Sequence, residues 1–320
     1  MTRRAKTLIR AGIGLIWGLS VSLTAFQPTA AHAQQAPQST PTQRPPLAQR
    51  IGHSDPANFR PLSKVHAGAG TMRFSALLDA KALSTNLLFL HRGVIDPHSG
   101  IGEHFHNDCE EMFVILDGEA EFTVDGRTSR IAGPVGVPDR QGHAHAIYNP
   151  TDTPLQWLNI NVSNTKIYDN FDLGDTREKA PLDPVPQFIT MHLDRAALRP
   201  VAGLNGGQGT ALYRRLLDPA VFSTPWTYVD HIILPKGASL GAVAEADISA
   251  VYYVISGAGE ASVRGETAPI REGDAVPVDL GEERALRQIG EAPLELMVIG
   301  VARDLAAKAR YRAATTPQRR

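Results

Sequence analysis

The chain has a single cysteine, Cys109, so no internal disulfide can form. It has no charge excess either. Lys and Arg total 32, Asp and Glu 33, and the formal net charge is -1. That balance gives no electrostatic reason for a nucleic-acid partner or an acidic membrane surface. Helical periodicity is scarce, and residues 304–312 are the best candidate for a helix. An exported chain without disulfides must be held by its core, and 320 residues are ample for one large or two ordinary domains. The rest of the composition, 42% hydrophobic and 20% charged, is that of an ordinary soluble globular protein.

What is present begins with an address. Arg3, Arg4, Lys6 and Arg10 precede an apolar run at 11–26, and Ala31-His32-Ala33 is a small-x-small cleavage site before Gln34. Residues 1–33 therefore read as an export signal, which implies a periplasmic or secreted protein. The alternative is a membrane anchor, but the run is short for a span of about 20 residues. No stable membrane span is expected after cleavage. Thr2-Arg3-Arg4 hints at twin-arginine export, without the usual Phe-Leu behind it. Residues 34–69 read as a disordered tether and N-terminal arm. Residues 304–320 read as a basic, solvated tail.

The chain also repeats itself. Residues 111–131 align without gaps on residues 250–270, an offset of 139. The same offset pairs Gly102 with Gly241, Gly142 with Gly281, and Pro154-Leu155 with Pro293-Leu294. One constant offset means two copies of one domain. Each copy alternates apolar and polar residues over short runs closed by Gly turns, such as Asp117-Gly118 and Ser256-Gly257. The fold class predicted is all-β, a sandwich or barrel in each copy. The expected boundaries are 70–170 for the first domain, 171–220 for a connection and 221–303 for the second.

Four side chains of the first copy can surround one divalent metal: His104, His106, Glu111 and His145. His104 and His106 are two apart and share a strand face. Asn107-Asp108-Cys109 is turn-like, so Glu111 can begin the next strand and point back inward. His145 comes from a later strand behind the Gly142 turn. Three imidazoles and one carboxylate leave such an ion room for open positions. His143 is a rival ligand. Cys109 is read as a small neighbour rather than a thiolate ligand, and His98 lies close in sequence. Tyr148, Trp157, Asn159 and Asn161 are candidates to line the pocket. In the second copy the same four positions hold Val243, Glu245, Ala250 and Arg284, a set expected to bind no transition metal. Arg284 is read as a structural arginine paired with Glu245 or Glu282, with anion binding as the alternative.

At these residues the chain resembles the cupin superfamily, and its duplication resembles a bicupin. The first cupin motif, G(X)5HXH(X)3–4E(X)6G, is met by His104, His106, Glu111 and Gly118, and its spacing selects Glu111 over Glu110. The second, G(X)5PXG(X)2H(X)3N, is met by Gly142, His145 and Asn149, with Arg140 where Pro is usual. The resemblance covers roughly residues 70–303. It implies two tandem double-stranded β-helix (jelly-roll) barrels and one divalent ion (Fe, Mn, Ni, Cu or Zn) in the first. It specifies the reaction poorly, because cupins host many chemistries.

The expected function is a metal-dependent oxidoreductase of dioxygenase type on a small phenolic or enol-type substrate. The alternatives are a Lewis-acid isomerase, lyase or hydrolase on a sugar-like substrate, or a non-catalytic metal- or small-ligand-binding bicupin. No catalytic residue is singled out. The partner expected is a small molecule rather than nucleic acid, and homo-oligomerisation is compatible with this reading.

Overall fold

The computed structural model describes residues 44–315. The export signal and the first part of the tether lie outside them. Short apolar and β-branched runs between Gly turns become strands, as their alternation requires. The first copy contains β1 (Arg60–Ser63), β2 (Thr71–Leu78), β3 (Leu87–Ile95), β4 (Ser99–Phe105), β5 (Cys109–Ile115), β6 (Glu119–Val124), β7 (Arg127–Ala132), β8 (Val135–Asp139), β9 (Ala144–Asn149) and β10 (Leu155–Ser163). The connection adds β11 (Phe171–Asp172) and β12 (Met191–His192). The second copy contains β13 (Arg199–Ala202), β14 (Thr210–Leu217), β15 (Trp226–Leu234), β16 (Ser239–Ala244), β17 (Ile248–Ser256), β18 (Ala258–Val263), β19 (Glu266–Arg271), β20 (Ala275–Val278), β21 (Glu283–Gln288) and β22 (Leu294–Ala302).

Each copy is a jelly roll of two antiparallel sheets. In the first, β1-β2-β3-β10-β5-β8-β12 faces β11-β4-β9-β6-β7; in the second, β13-β14-β15-β22-β17-β20 faces β16-β21-β18-β19. The larger sheets of the two copies pack against each other. Leu90, Met112, Val114 and Ile160 of the first share one buried cluster with Trp226, Val229, Tyr253 and Ile299 of the second. The polar contacts across this interface are related by the repeat. Glu110 accepts from the Thr224 amide at 2.9 Å and its hydroxyl at 2.6 Å, while the corresponding Ser249 bonds the Thr85 hydroxyl.

Three boundaries differ from expectation. The repeat starts earlier, since β13, β14 and β15 begin 139 residues after β1, β2 and β3. The connection is thus residues 164–198, not 171–220. The polar strands β13, at the sheet edge, and β14, beside it, carry too weak an alternation to be read as strands, yet they complete the sheet beside β15. The arm is not a loose tether from Arg44 onward. The short helix α1 (Leu47–Arg50) buries Leu47 in the second barrel, and Arg50 pairs with Glu282 at 2.6 Å. Ion pairs of this kind leave no hydrophobic signature. The helix expected at 304–312 forms as α2 (Leu305–Thr315), but this part of the tail is not simply solvated: the Lys308 ammonium is buried and donates to the Phe222 and Thr224 carbonyls, both at 2.6 Å. Among the described residues no helix is long and apolar enough to cross a membrane.

Candidate metal centre

His104 on β4, His106 just beyond it, Glu111 on β5 and His145 on β9 meet inside the first barrel, all buried. One ligand atom from each lies within 4.8 Å of all the others. His104 and His145 stand opposite each other across β4 and β9, after a register shift that reseats β4. Their Nε2 atoms are 3.2 Å apart. Glu111 Oε2 is 3.7 Å from His106 Nε2, and Oε1 is 3.9 Å from His145 Nε2. Ligands about 2.1 Å from one ion would be about 3.0–3.4 Å apart at octahedral or tetrahedral angles, so this set needs little movement to close on a metal.

The surroundings fit the same purpose. His104 Nδ1 donates to the Gly102 carbonyl at 2.8 Å, and His106 Nδ1 to the Asp169 carbonyl at 2.6 Å. Both bonds turn the Nε2 lone pairs inward, the usual support for a ligating imidazole. His106 Nε2 is buried with no hydrogen-bond partner. Burial pushes His104 and His145 well below the ordinary imidazole range, helped in each case by neighbouring histidines. Neutral imidazole is the form that binds metal. Glu111 is gripped on both oxygens: Asn159 donates to Oε1 and Asn161 to Oε2, each at 2.7 Å.

Glu110 and Glu111 face opposite ways, as successive strand residues must. Glu110 points to the second barrel and Glu111 into the first, in agreement with the spacing argument. His143 points outward to Asp125 at 2.6 Å, and His98 is exposed beside Asp152, so neither joins the cluster. Cys109 lies on the outer side of His106, 3.3 Å from Nδ1, and burial pushes its thiol up. With His106 and Asp169 it forms a second, three-membered group. Asn149 makes no hydrogen bond to His145. It holds the turn by donating to the carbonyls of Ile95, Asp96 and Thr153. Of the four candidates, Trp157 and Asn159 line the cavity; Tyr148 and Asn161 do not.

Several residues here escaped the sequence reading. His66 stacks on His104, ring centroids 3.8 Å apart, donates from Nδ1 to Asp172 at 2.6 Å, and shares a hydrogen bond at Nε2 with the Tyr168 hydroxyl at 3.3 Å. Gly102 makes that approach possible: a Cβ there would sit 2.1 Å from the His66 carbonyl oxygen. Phe89 stacks on His91 at 4.0 Å, and burial pushes His91 down to about 4. Asp139 stands opposite Glu111 on β8, with both oxygens buried and unpartnered. Burial, then repulsion from Glu111, pushes its carboxyl well above the usual range. The alternation Val135, Val137, Asp139 was a readable signal that Asp139 faces the barrel interior.

A cavity of about 260 Å³ opens on the cluster through Glu111. Its walls include Phe74, Phe89, His91, Trp157 and Tyr168, and hold no Lys or Arg among the described residues.

Fold and site define a tandem pair of β-barrels with one candidate metal centre, in the first barrel. The chain belongs to the cupin superfamily, as a bicupin: the Cupin domain family matches residues 91–161 and again 230–300, the same offset of 139. An oxalate-binding protein of Thermotoga maritima is 31% identical over 100 residues, 31% of this chain and 82% of that protein. Two solved bicupin folds are similar in architecture. Salicylate 1,2-dioxygenase of Pseudaminobacter salicylatoxidans superposes with a TM-score of 0.56 at 18% identity, over 73% of this chain and 74% of that one. Oxalate decarboxylase of Bacillus subtilis does so with a TM-score of 0.56 at 16% identity, over 79% and 76%.

Proposed function

We propose that His104, His106, Glu111 and His145 hold one divalent ion, Fe, Mn, Ni, Cu or Zn, and that the protein is an exported dioxygenase-type oxidoreductase. Its substrate is a small phenolic or enol-type molecule. The observation that carries this reading is the cavity over Glu111. Four aromatic side chains, Phe74, Phe89, Trp157 and Tyr168, and four aliphatic ones, Leu62, Val65, Met72 and Ile101, form most of its wall, which suits a flat apolar body with one or two oxygens directed at the cluster. The lack of a Lys or Arg in that wall argues against a small dianion such as oxalate, whose second charge would go unmatched. A polyhydroxylated sugar would set most of its hydroxyls against these apolar side chains, which disfavours the isomerase alternative.

A bound ion would supply Lewis acidity and, if redox-active, electron transfer toward dioxygen. The chain itself does the rest. Phe89, His91 and Trp157 orient the ring and keep water out. Asn159 and Asn161 fix the carboxylate plane of Glu111, the acid placed to take a proton from a substrate hydroxyl. Export rests on the pattern of residues 1–33. A second reading, a ligand-binding bicupin without turnover, draws support from the relative named an oxalate-binding protein.

The test is metal analysis of the purified protein, with oxygen uptake measured on catechols, flavonols and enols. H104A and H106A are expected to lose metal and uptake together. Metal stoichiometry at the wild-type level in both variants refutes the ligand assignment. Bound metal without uptake on any substrate of the panel favours the second reading.

A further inference from the structure

The second barrel has been rebuilt at the positions that form the metal centre in the first. Ala250 replaces Glu111, and Val298 and Gly300 replace its two asparagine clamps. Gly300 is required there, because a Cβ would meet the Tyr228 ring at 2.3 Å. Arg284 stands in the place of His145, opposite Val243 as His145 stands opposite His104. The residue is buried, 8% exposed. Nε donates to the Tyr252 hydroxyl and Nη1 to the Gly241 carbonyl at 2.9 Å.

The expected pairing of Arg284 with Glu245 or Glu282 is not found. Glu282 is taken by Arg44 and Arg50, at 2.8 and 2.6 Å, and by the Asp279 amide. Asp279 bonds Ser84 and Arg44, and Asp230 bonds Arg215 and Tyr213. Glu245 is exposed and makes no ion pair with Arg284. A buried cation left without a counter-ion is expensive, and the Tyr252 ring face, 5.5 Å away, offsets only part of that. The remaining Nη donors border a cavity of about 150 Å³. A cavity of about that size can take up a benzene-sized molecule.

We propose that this cavity is an anion site, in which Arg284 binds the carboxylate of a small monocarboxylic acid. Tyr252, having accepted from Arg284, has its own hydroxyl proton to donate to the same carboxylate. Leu240, Val278 and Val298 cover the apolar body of the ligand. Of the four acids that border the cavity, Asp230, Asp279 and Glu282 are engaged by arginines and Glu245 is exposed; together they repel a second negative charge and so select a monoanion.

Calorimetric titration of the full chain with benzoate, acetate and neutral benzamide tests this. Saturable 1:1 binding of benzoate or acetate is expected, with benzamide at least about tenfold weaker and R284M losing carboxylate binding by about tenfold or more. V243E decides the case even if R284M fails to fold. It places a carboxylate directly across the strand pair from Arg284, and should abolish carboxylate binding while raising the thermal midpoint. The proposal is overturned if neither benzoate nor acetate binds, or if binding survives R284M, which would place it in the first barrel. Retained binding or a lowered midpoint in V243E overturns it as well.

Discussion

Asn161 is the sharpest test of how the first barrel organises its carboxylate. Its Nδ2 donates to Glu111 Oε2 at 2.7 Å, on the side facing His106 Nε2 at 3.7 Å. Asn159 holds the other oxygen independently. Asn161→Leu keeps the side-chain shape and removes the donor. Glu111 is then anchored only through Oε1 and can swing away from His106. Loss of a partner that orients a ligand usually costs 10–100-fold in metal affinity, about 1.4–2.8 kcal/mol. The buried oxygen that loses its donor should also lower apo-protein stability by about 1–3 kcal/mol. Competition with a chelator of known affinity measures the first effect, and thermal unfolding of the metal-free protein the second. Metal affinity within about twofold of wild type, in a folded variant, would show that the clamp does not serve the metal site.

Three further outcomes follow from buried charges elsewhere. Glu110→Ala strands the Ser223 and Thr224 amides and the Thr224 hydroxyl at the interface between the barrels, and should cost about 2–4 kcal/mol in chemical denaturation without changing metal stoichiometry. Burial works to raise the Glu295 carboxyl, but hydrogen bonds from His231 and Arg195 override it and hold it at about 2. Its stabilisation is complete above the unfolded value of about 4.3 and disappears as pH falls toward 2, at most about 3 kcal/mol, and E295Q should lack this acid-dependent part. Burial pushes the Lys308 ammonium down to about 8 despite the attraction of Glu110. Between about pH 8 and 10.4 only the unfolded chain keeps that proton, so wild-type stability should gain on that of K308M by up to about 3 kcal/mol as pH rises through this window.

The four-residue cluster was legible because the cupin motifs place its members at fixed spacings on strands whose faces alternate. The duplication was legible from one constant offset. What was hidden depends on contacts remote in sequence. His66 reaches His104 only because Gly102 lets a turn from the arm lie against β4. Tyr168 and Asp169 come from the connection, where nothing in the local pattern marks a wall of the site. Strands β13 and β14 are half-polar and are held by pairing, β14 on β15 and β13 on β14, so local alternation understated them. The partner of Arg284 was misjudged because the nearby Glu282 is claimed by an arm more than 230 residues away in sequence.

The two copies differ in a way that strand alternation explains. On β5 and β10, Met112, Val114, Leu158, Ile160 and Val162 face the other barrel, and their counterparts Val251, Tyr253, Met297, Ile299 and Val301 do the same. All ten are apolar, because each sheet is the other's core wall and neither face can be given up without exposing both. The intervening positions face the barrel interiors: Glu111, Phe113, Asn159 and Asn161 in one copy, Ala250, Tyr252, Val298 and Gly300 in the other. These are the freer to change chemistry, because a residue pointing into its own barrel contributes nothing to the shared wall; on the wall itself the Glu110 and Ser249 pair changes, but each keeps a hydroxyl partner from the other barrel. A second barrel without metal ligands is therefore retained as structure whatever its interior holds, and its interior can acquire a new ligand chemistry at no cost to the first. The replacement of an imidazole by a guanidinium at position 284 is the kind of change this division permits.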